Sequence, residues 1–312
     1  MQIIRSTGNY NIPDSGTCIT VGTFDGVHTG HTEILRFLKS IAGQNHLPSL
    51  VFTFTSHPRF VLNKDAEELK LLTTPDEKQQ LLENSGVDFF FEQDFTEQFA
   101  KLSASEFVVE ILIKKLGMKS LVVGHDHLFG KNREGNFALL QKLSTQHQFS
   151  LHQIPAVSNA GFNVSSTKIR NLLSDGDVAL ANEMLGYNYS FSGEVIQGFG
   201  IGRELGFPTA NINRSEINKM LPAAGVYIIK AMLDNEIHDG LLNIGTRPTF
   251  NGNNVQIEAH LFDFDKIIYG EKLKIEFLLF LRPELKFESK NELVLQIRKD
   301  RDKALQYFGR IC

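Results

Sequence analysis

Between residues 17 and 154, short runs rich in β-branched and aromatic residues alternate with stretches whose apolar residues recur at helical spacing. The runs cover 18–21, 49–54, 88–91, 120–123 and 150–154, and the amphipathic stretches begin near Thr32, Pro75, Ser103 and Glu134. Such alternation predicts parallel strands joined by crossover helices, with ligands beyond the carboxyl ends of the strands. Gly22 to His31 follow the first run, Thr55-Ser-His-Pro58 the second and Gly124-His-Asp-His127 the fourth. A short helical pair comes next, with Asp175-Gly176-Asp177 as its turn and Asn182-Glu-Met-Leu-Gly186 as its end. At Tyr187 the period changes to that of strands, at 189–196, 210–212, 226–233, 241–244, 255–262 and 273–281. In the last of these Leu273, Ile275 and Phe277 alternate with Lys274 and Glu276, the pattern of a strand buried on one face. This half reads as mainly antiparallel, a small barrel, closed by a helix over about 290–308 with Val294, Ile297, Ala304, Leu305 and Phe308 on one side. The expected domains are 1–186 and 187–312.

A length of 312 residues is more than one core usually needs, in agreement with two domains. A net charge of −4 argues against a large basic face for nucleic acid but leaves room for a local phosphate pocket. Cys18 and Cys312 are the only cysteines, too few for a disulfide framework or a four-cysteine zinc site. No apolar run approaches the ~20 residues of a membrane span, and no basic-then-apolar leader opens the chain, so a cytoplasmic location is expected.

The chemistry concentrates in a few strings. In Thr17-Cys-Ile-Thr-Val-Gly-Thr-Phe-Asp-Gly-Val-His-Thr-Gly-His31 a strand breaks at Gly22 and runs into a helix, whose free N–H groups and dipole suit phosphate oxygens. His28 and His31 stand one helical turn apart and can face the same phosphate chain; an ordinary strand-to-helix connection with solvated histidines is the alternative. Residues 124–136 form a glycine-punctuated loop rich in cationic and titratable side chains, where His125-x-His127 lacks a third metal ligand of suitable spacing. In Val164-Ser-Ser-Thr-Lys-Ile-Arg170 the hydroxyls could be simple N-caps, or with Lys168 and Arg170 could hold a triphosphate.

Three strings stand out in the second half. Gly198-Phe-Gly-Ile-Gly-Arg-Glu-Leu-Gly-Phe-Pro-Thr-Ala-Asn-Ile212 combines a glycine-rich loop with a hydroxyl and an amide suited to Mg²⁺ and phosphate oxygens. Asn243-Ile-Gly-Thr-Arg-Pro-Thr-Phe250 is the second. The third, Ile257-Glu-Ala-His-Leu-Phe-Asp-Phe264, sets Glu258 in an apolar run; such a residue is usually on the solvent face, and pointing inward it is a candidate general base.

Gly22-Thr-Phe-Asp-Gly-Val-His-x-Gly-His31 resembles the signature of the HxGH nucleotidylyltransferases in its bacterial FAD synthetase form. The 124–136 loop is similar to the Gly-x-Asp-x-x-Phe-Gly-x-x-Arg-x-Gly-Asn block of the same enzymes, matching at Asp126, Phe129, Gly130, Arg133, Gly135 and Asn136, with His127 where an aromatic usually stands. The 164–170 string looks like their Ser-Ser-Thr-x-x-Arg motif. The three later strings resemble riboflavin kinases, with Tyr269-Gly-Glu-Lys-Leu273 and Phe280-Leu-Arg-Pro-Glu-Leu-Lys-Phe287 completing the pattern.

The resemblance implies an α/β N-terminal Rossmann-like nucleotidylyltransferase domain with a parallel sheet, and a mainly antiparallel β-barrel riboflavin kinase domain with a C-terminal helix. It implies phosphorylation of riboflavin by ATP to FMN, then adenylylation of FMN by ATP to FAD. By the same resemblance His28, His31, Arg170 and Glu258 are catalytic, and Gly22, Phe24, Asp25, Asp126, Arg133, Ser165, Ser166, Thr167 and Lys168 bind ATP for adenylyl transfer. Gly198, Gly200, Gly202, Arg203, Gly206, Pro208, Thr209 and Asn211 bind ATP or flavin for the kinase, Thr209 and Asn211 also holding Mg²⁺. The expected partners are riboflavin, FMN and ATP, with no nucleic acid or membrane, in a monomer or weak homo-oligomer. Two other readings stay open: a kinase whose first domain has another or a lost adenylyl transfer, raised by His127, and a flavin carrier without catalysis, against which the histidines and Glu258 weigh.

Overall fold

A computed structural model describes residues 1–8, 11–62, 69–125, 128–131, 134–155, 158–159, 162–198, 200–214, 218–249 and 252–311. The chain divides into two compact units, Met1–Ser166 and Thr167–Cys312.

In the first unit β1 (Gln2–Arg5), β2 (Thr17–Val21), β3 (Ser49–Phe54), β4 (Phe89–Gln93), β5 (Met118–Gly124) and β6 (Ser150–Ile154) form a parallel sheet in the order β1-β4-β3-β2-β5-β6. A small hairpin of β7 (Ser158–Asn159) and β8 (Phe162–Asn163) follows. The parallel sheet agrees with the alternation read from the sequence. Edge strand β1 was not expected, because Ile4 alone among its residues is buried and it carries no alternation to read.

Successive strand residues face opposite sides. Cys18, Val51, Phe90 and Val122 pack against Leu35, Leu38 and Ile41 of helix Thr29–Gln44. On the other face Ile19, Phe52, Phe91 and Leu121 meet Val108, Leu112 and Leu140. Central strands apolar on both faces are what a doubly covered sheet requires. From β2 the chain steps outward through β3 and β4, and β5 returns to the opposite side of β2. The order therefore reverses between β2 and β5, the place in such sheets where ligands bind, beyond the carboxyl ends of the strands.

Local signals set the helix starts. Thr74 and Glu77 form a reciprocal capping box at helix Pro75–Asn84, with proline in its first turn. Ser103 and Glu106 do the same at Ala104–Glu106, which continues into the wide π-type turns of Phe107–Lys115. Asn136 caps Phe137–His147 through a bond from Leu139 N–H of 3.0 Å.

In the second unit β9 (Ser190–Ile196), β10 (Ala210–Arg214), β11 (Gly225–Leu233), β12 (Glu236–Thr249), β13 (Gly252–Leu261) and β14 (Lys272–Arg282) close an antiparallel barrel in the order β10-β13-β12-β11-β14-β9, with β9 pairing β10. Strand β12 far exceeds the expected 241–244, because β11 and β13 satisfy its backbone along stretches whose side chains show no period. Phe191, Ile212, Tyr227, Leu242, Ile257, Ala259, Ile275 and Phe277 are buried on the alternating positions that fill the interior. An outer apolar patch of Val226, Ile228, Leu241 and Phe262 is covered by Ala304, Leu305 and Phe308 at the end of helix Lys290–Tyr307. That helix is tied to β14 by a bidentate pair, Arg282 to Asp300, at 2.7 to 3.1 Å, with Asp300 fully buried.

Helices Ser166–Ser174 and Val178–Leu185 precede the barrel, and from Thr167 on their residues belong to the second unit. Asn182 links the pair to the barrel: its amide donates to Phe277 O at 2.8 Å and its carbonyl accepts Tyr189 N–H at 2.7 Å. The compact units thus meet at Ser166 and Thr167, ahead of the change of period at Tyr187.

Candidate functional site

The first site lies on the loop after β2. Gly22 N–H continues the sheet by donating to Phe52 O at 3.0 Å, and the chain then turns through left-handed conformations at Phe24 (φ 51°), Gly26 (φ 84°) and Val27 (φ 34°). Such values in non-glycine residues store strain and persist only where contacts enforce them. Here Asp25 supplies those contacts. Its buried carboxylate accepts Leu72 N–H (2.9 and 3.2 Å), Thr73 N–H (3.1 Å) and the Thr73 hydroxyl (3.3 Å), and that hydroxyl oxygen accepts Gly26 N–H at 3.1 Å. Asp25, expected at ATP, has its carboxylate turned to its own chain, where it shapes the loop. Ser166 Oγ donates to Asp25 O at 2.9 Å, so a hydroxyl expected to be a cap or a phosphate ligand joins two motifs far apart in sequence.

His28 is the N-cap of helix Thr29–Gln44, and its Nδ1 accepts His31 N–H at 3.3 Å. The His28 proton therefore resides on Nε2 when the ring is neutral. The two imidazoles stack, 3.7 Å between centroids and 12° from parallel, with Phe24 tilted against His31 at 5.0 Å. A Cβ on Gly30 would come 3.2 Å from the His28 ring, so a small residue is needed between the histidines. Burial, and then the neighbouring His28, hold the His31 imidazole well below the usual histidine range, so it is neutral near pH 7. His31 Nδ1 is buried with no hydrogen-bond partner among the described residues. Imidazole N–H groups placed at a helix start can donate hydrogen bonds to phosphate oxygens.

Thr167, Lys168 and Arg170 lie on helix Ser166–Ser174; Ser165, just before it, and Thr167 are exposed, while Lys168 and Arg170 are half-buried. Asp126, His127 and Arg133 lie outside the described residues. One charged residue that the sequence reading passed over is Lys78. It is buried, donates to Phe54 O at the end of β3 at 2.9 Å, and lies in the field of Glu92 and Asp25. Burial lowers its pKa, and the two carboxylates oppose that shift. Its sequence environment is that of a lysine on an amphipathic helix, which reads as solvated.

The second site is on the outer wall of the barrel. Asn211 on β10 pairs in register with Glu258 on β13, and Glu258 pairs with Asn243 on β12. Directly opposed residues project to the same face, so Asn211, Glu258 and Asn243 form a polar row across three strands. Ile257 and Ala259, on either side of Glu258, point into the packed interior. Glu258 is therefore outside the barrel and half-buried, the face usual for a lone strand glutamate and not the inward alternative. The interior is filled by apolar side chains, where a carboxylate would be desolvated.

Glycines make room for this row. A Cβ on Gly198 would fall 2.0 Å from Asn211 Nδ2, and one on Gly202 would fall 2.4 Å from Phe207 O and 3.1 Å from Thr209 Oγ1. One on Gly245 would meet Glu284 Oε1 at 2.5 Å and Asn243 Nδ2 at 3.2 Å, which brings Glu284, a residue with no role read from the sequence, to the end of the row. Gly200 and Gly206 carry positive φ in the loop that holds Arg203, itself exposed on the short helix Ile201–Glu204. Beside Pro208 a pocket of about 430 Å³ is lined by Phe207, Phe262 and Phe264, with Asp263, Asp265 and Arg301 also in its wall. No cluster of three or more His, Cys, Asp or Glu suited to a metal occurs among the described residues.

Two family models match the chain, FAD synthetase over residues 11–168 and riboflavin kinase over residues 185–308. A bifunctional riboflavin kinase/FMN adenylyltransferase of Haemophilus influenzae is 40% identical over 312 residues, covering 99% of this chain and 100% of its own. The enzyme of the same description from Escherichia coli K12 is 36% identical over 312 residues, covering 99% and 98%. A crystal structure from Streptococcus pneumoniae described as a macrolide-efflux protein superposes with a TM-score of 0.87 at 31% identity, over 96% of this chain and 97% of that one. In the chain described here no helix is long and apolar enough to cross a membrane, among the described residues.

Proposed function

From the premise that the chain belongs to the family of bifunctional riboflavin kinase/FMN adenylyltransferases, we propose how its residues divide the work. The enzyme phosphorylates riboflavin with ATP to FMN and adenylylates FMN with ATP to FAD, releasing pyrophosphate. The observation that carries the assignment of residues is the Asn211–Glu258–Asn243 row, which puts one carboxylate between two amides beside the glycine-rich loop.

In the kinase step Glu258 takes the proton of the ribityl 5′-hydroxyl as that oxygen bonds the γ-phosphorus of ATP. The bond from the γ-phosphorus to the β,γ-bridging oxygen breaks, and ADP leaves. Thr209 and Asn211 offer neutral oxygens that fit Mg²⁺, a hard cation that keeps few protein ligands and shares substrate phosphates. Bound there, Mg²⁺ would neutralise the phosphate charge. Gly198, Gly200, Gly202 and Gly206 bring backbone N–H groups to the same phosphates, and Arg203 adds a cation. The pocket next to Pro208 suits the adenine of that ATP, since its aromatic walls can stack on a base while Asp263 and Asp265 can accept from an exocyclic amine and would repel phosphate.

In adenylyl transfer an FMN phosphate oxygen attacks the α-phosphorus of the second ATP, the α,β-bridging bond breaks, and pyrophosphate leaves. The nucleophile is already anionic and no general base is required. His28 and neutral His31 offer ring N–H groups to the phosphates, and Lys168 and Arg170 supply positive charge, as the resemblance implies. Gly22, Phe24 and Asp25 shape the loop, Ser166 fixes it, and Ser165, Thr167, Asp126 and Arg133 bind ATP as the resemblance implies. The functional boundary is placed at Gly186 and Tyr187, and the protein is taken as a cytoplasmic monomer or weak homo-oligomer that binds neither nucleic acid nor membrane.

The test is chromatography of flavins after incubation with riboflavin, ATP and Mg²⁺. Wild type should yield FAD, Glu258→Ala unconverted riboflavin, and His31→Ala FMN alone. Undiminished FMN formation by Glu258→Ala would remove the base assignment.

A further inference from the structure

Backbone pairing between β10 and β13 begins at Ala210, opposite Ala259, and leaves the preceding Pro208 and Thr209 without ladder bonds to β13. A side chain takes over at that point. His260, two residues after Glu258 and on the same outer face, places Nδ1 2.8 Å from Pro208 O. A carbonyl can only accept, so Nδ1 carries the proton and donates. The ring is braced edge-on by Phe207 and Phe262, each with centroids 5.7 Å away. Pro208 precedes Thr209, and the backbone on the other side of Thr209 enters β10. The position of the Thr209 hydroxyl relative to the Glu258 strand is thus governed by one strand register on its C-terminal side and by the His260 bond on its N-terminal side.

We propose that His260 is a positioning residue of the kinase site, holding the Pro208 carbonyl so that Thr209 meets the ATP phosphates in register with Glu258. Burial lowers the His260 pKa, which keeps the ring neutral at pH 7, with Nε2 free of a proton. The inference rests on the reading of Thr209 as a ligand of ATP phosphates and Mg²⁺, and the experiment separates the two.

Steady-state riboflavin phosphorylation is measured for wild type, His260→Ala, His260→Asn and Thr209→Ala. Adenylyl transfer to supplied FMN and thermal unfolding serve as controls on the same preparations. His260→Ala should raise the KM for MgATP about tenfold, equivalent to the ~1.4 kcal/mol of a lost hydrogen bond, with the riboflavin KM and adenylyl transfer unchanged. His260→Asn, whose Nδ2–H can replace Nδ1–H, should recover most of that loss. If Thr209→Ala is inactive while His260→Ala keeps the wild-type KM for MgATP, the positioning role is overturned and the Thr209 reading stands. If His260→Asn is as impaired as His260→Ala, the ring and not its bond matters, and the proposal fails. Full kinase activity in Thr209→Ala would remove the Thr209 reading and the proposal with it.

Discussion

The two proposed nucleotide sites are assembled in opposite ways. The histidine pair of the first is local: His28, Gly30, His31 and the strained turn from Phe24 to Val27 occupy one strand-to-helix connection, and the helix start itself aims the histidines. The second is distributed: Asn211, Asn243 and Glu258 come from three strands and meet only because the barrel register sets them side by side. A site made from one loop can be altered by local strain, whereas one made from register depends on every contact that holds three strands in phase. The first also relies on remote supports, since Asp25 is bound to Leu72 and Thr73 and Lys78 reaches Phe54.

The largest effect should come from removing the one carboxylate of the polar row. Glu258→Gln should lower riboflavin phosphorylation by about 10²- to 10⁴-fold, the range of a positioned general base, while FMN supplied from outside is still converted to FAD. Equal loss of both activities would mean that the two sites are not independent. Next is Lys78→Met, which removes the buried cation that donates to Phe54 O in the field of Glu92 and Asp25, and should destabilise the first unit by about 1–3 kcal/mol in denaturant unfolding. Kinase activity should survive it. His31→Ala should cut adenylyl transfer by about 10²- to 10³-fold, the usual loss on deleting one donor to a transition-state oxyanion, and FMN should accumulate. Gly198→Ala, by displacing the Asn211 amide, should reduce kinase turnover about 10²-fold, as a displacement near 1 Å does, without touching adenylyl transfer. A wild-type rate there would show that the row tolerates movement.

Acid stability is the smallest effect. The folded-state pKa of His31 lies below its unfolded value near 6.5, so its contribution is complete above that pH and is lost as pH falls below it, because the unfolded chain takes up a proton first. The loss should be at most about 1.4 kcal/mol per pH unit, and His31→Asn should flatten it in unfolding followed between pH 7.5 and 5. His260 shifts in the same direction and should give the second unit a similar slope.

Strand alternation, the helix starts near Pro75 and Ser103, and the one-face pattern of Leu273 to Phe277 were all legible, because each depends on residues within a few positions of one another. So were the paired histidines, whose spacing alone puts them one turn apart. Strand β1 was not legible, since an edge strand needs only a partner's free N–H and C=O groups and no apolar pattern. The exterior position of Glu258 is the usual one for a lone glutamate in a strand, but its place beside Asn211 and Asn243 was not legible, since only the barrel register shows which residues lie across from it.

Chain order and local chemistry therefore decided which elements form, that a parallel α/β unit precedes a barrel, and which strings carry phosphate chemistry. Folding decided the rest: that Asp25 clamps a distant backbone, that Ser166 Oγ bonds Asp25 O, that Lys78 is buried with its ammonium on Phe54 O, and that Asn211, Glu258 and Asn243 share a face. The physical reason is range. Propensity, capping and periodicity act over a few residues, whereas a buried charge or a cross-strand neighbour is defined by groups tens to more than a hundred positions away, which only the closed sheet and barrel bring within hydrogen-bond distance.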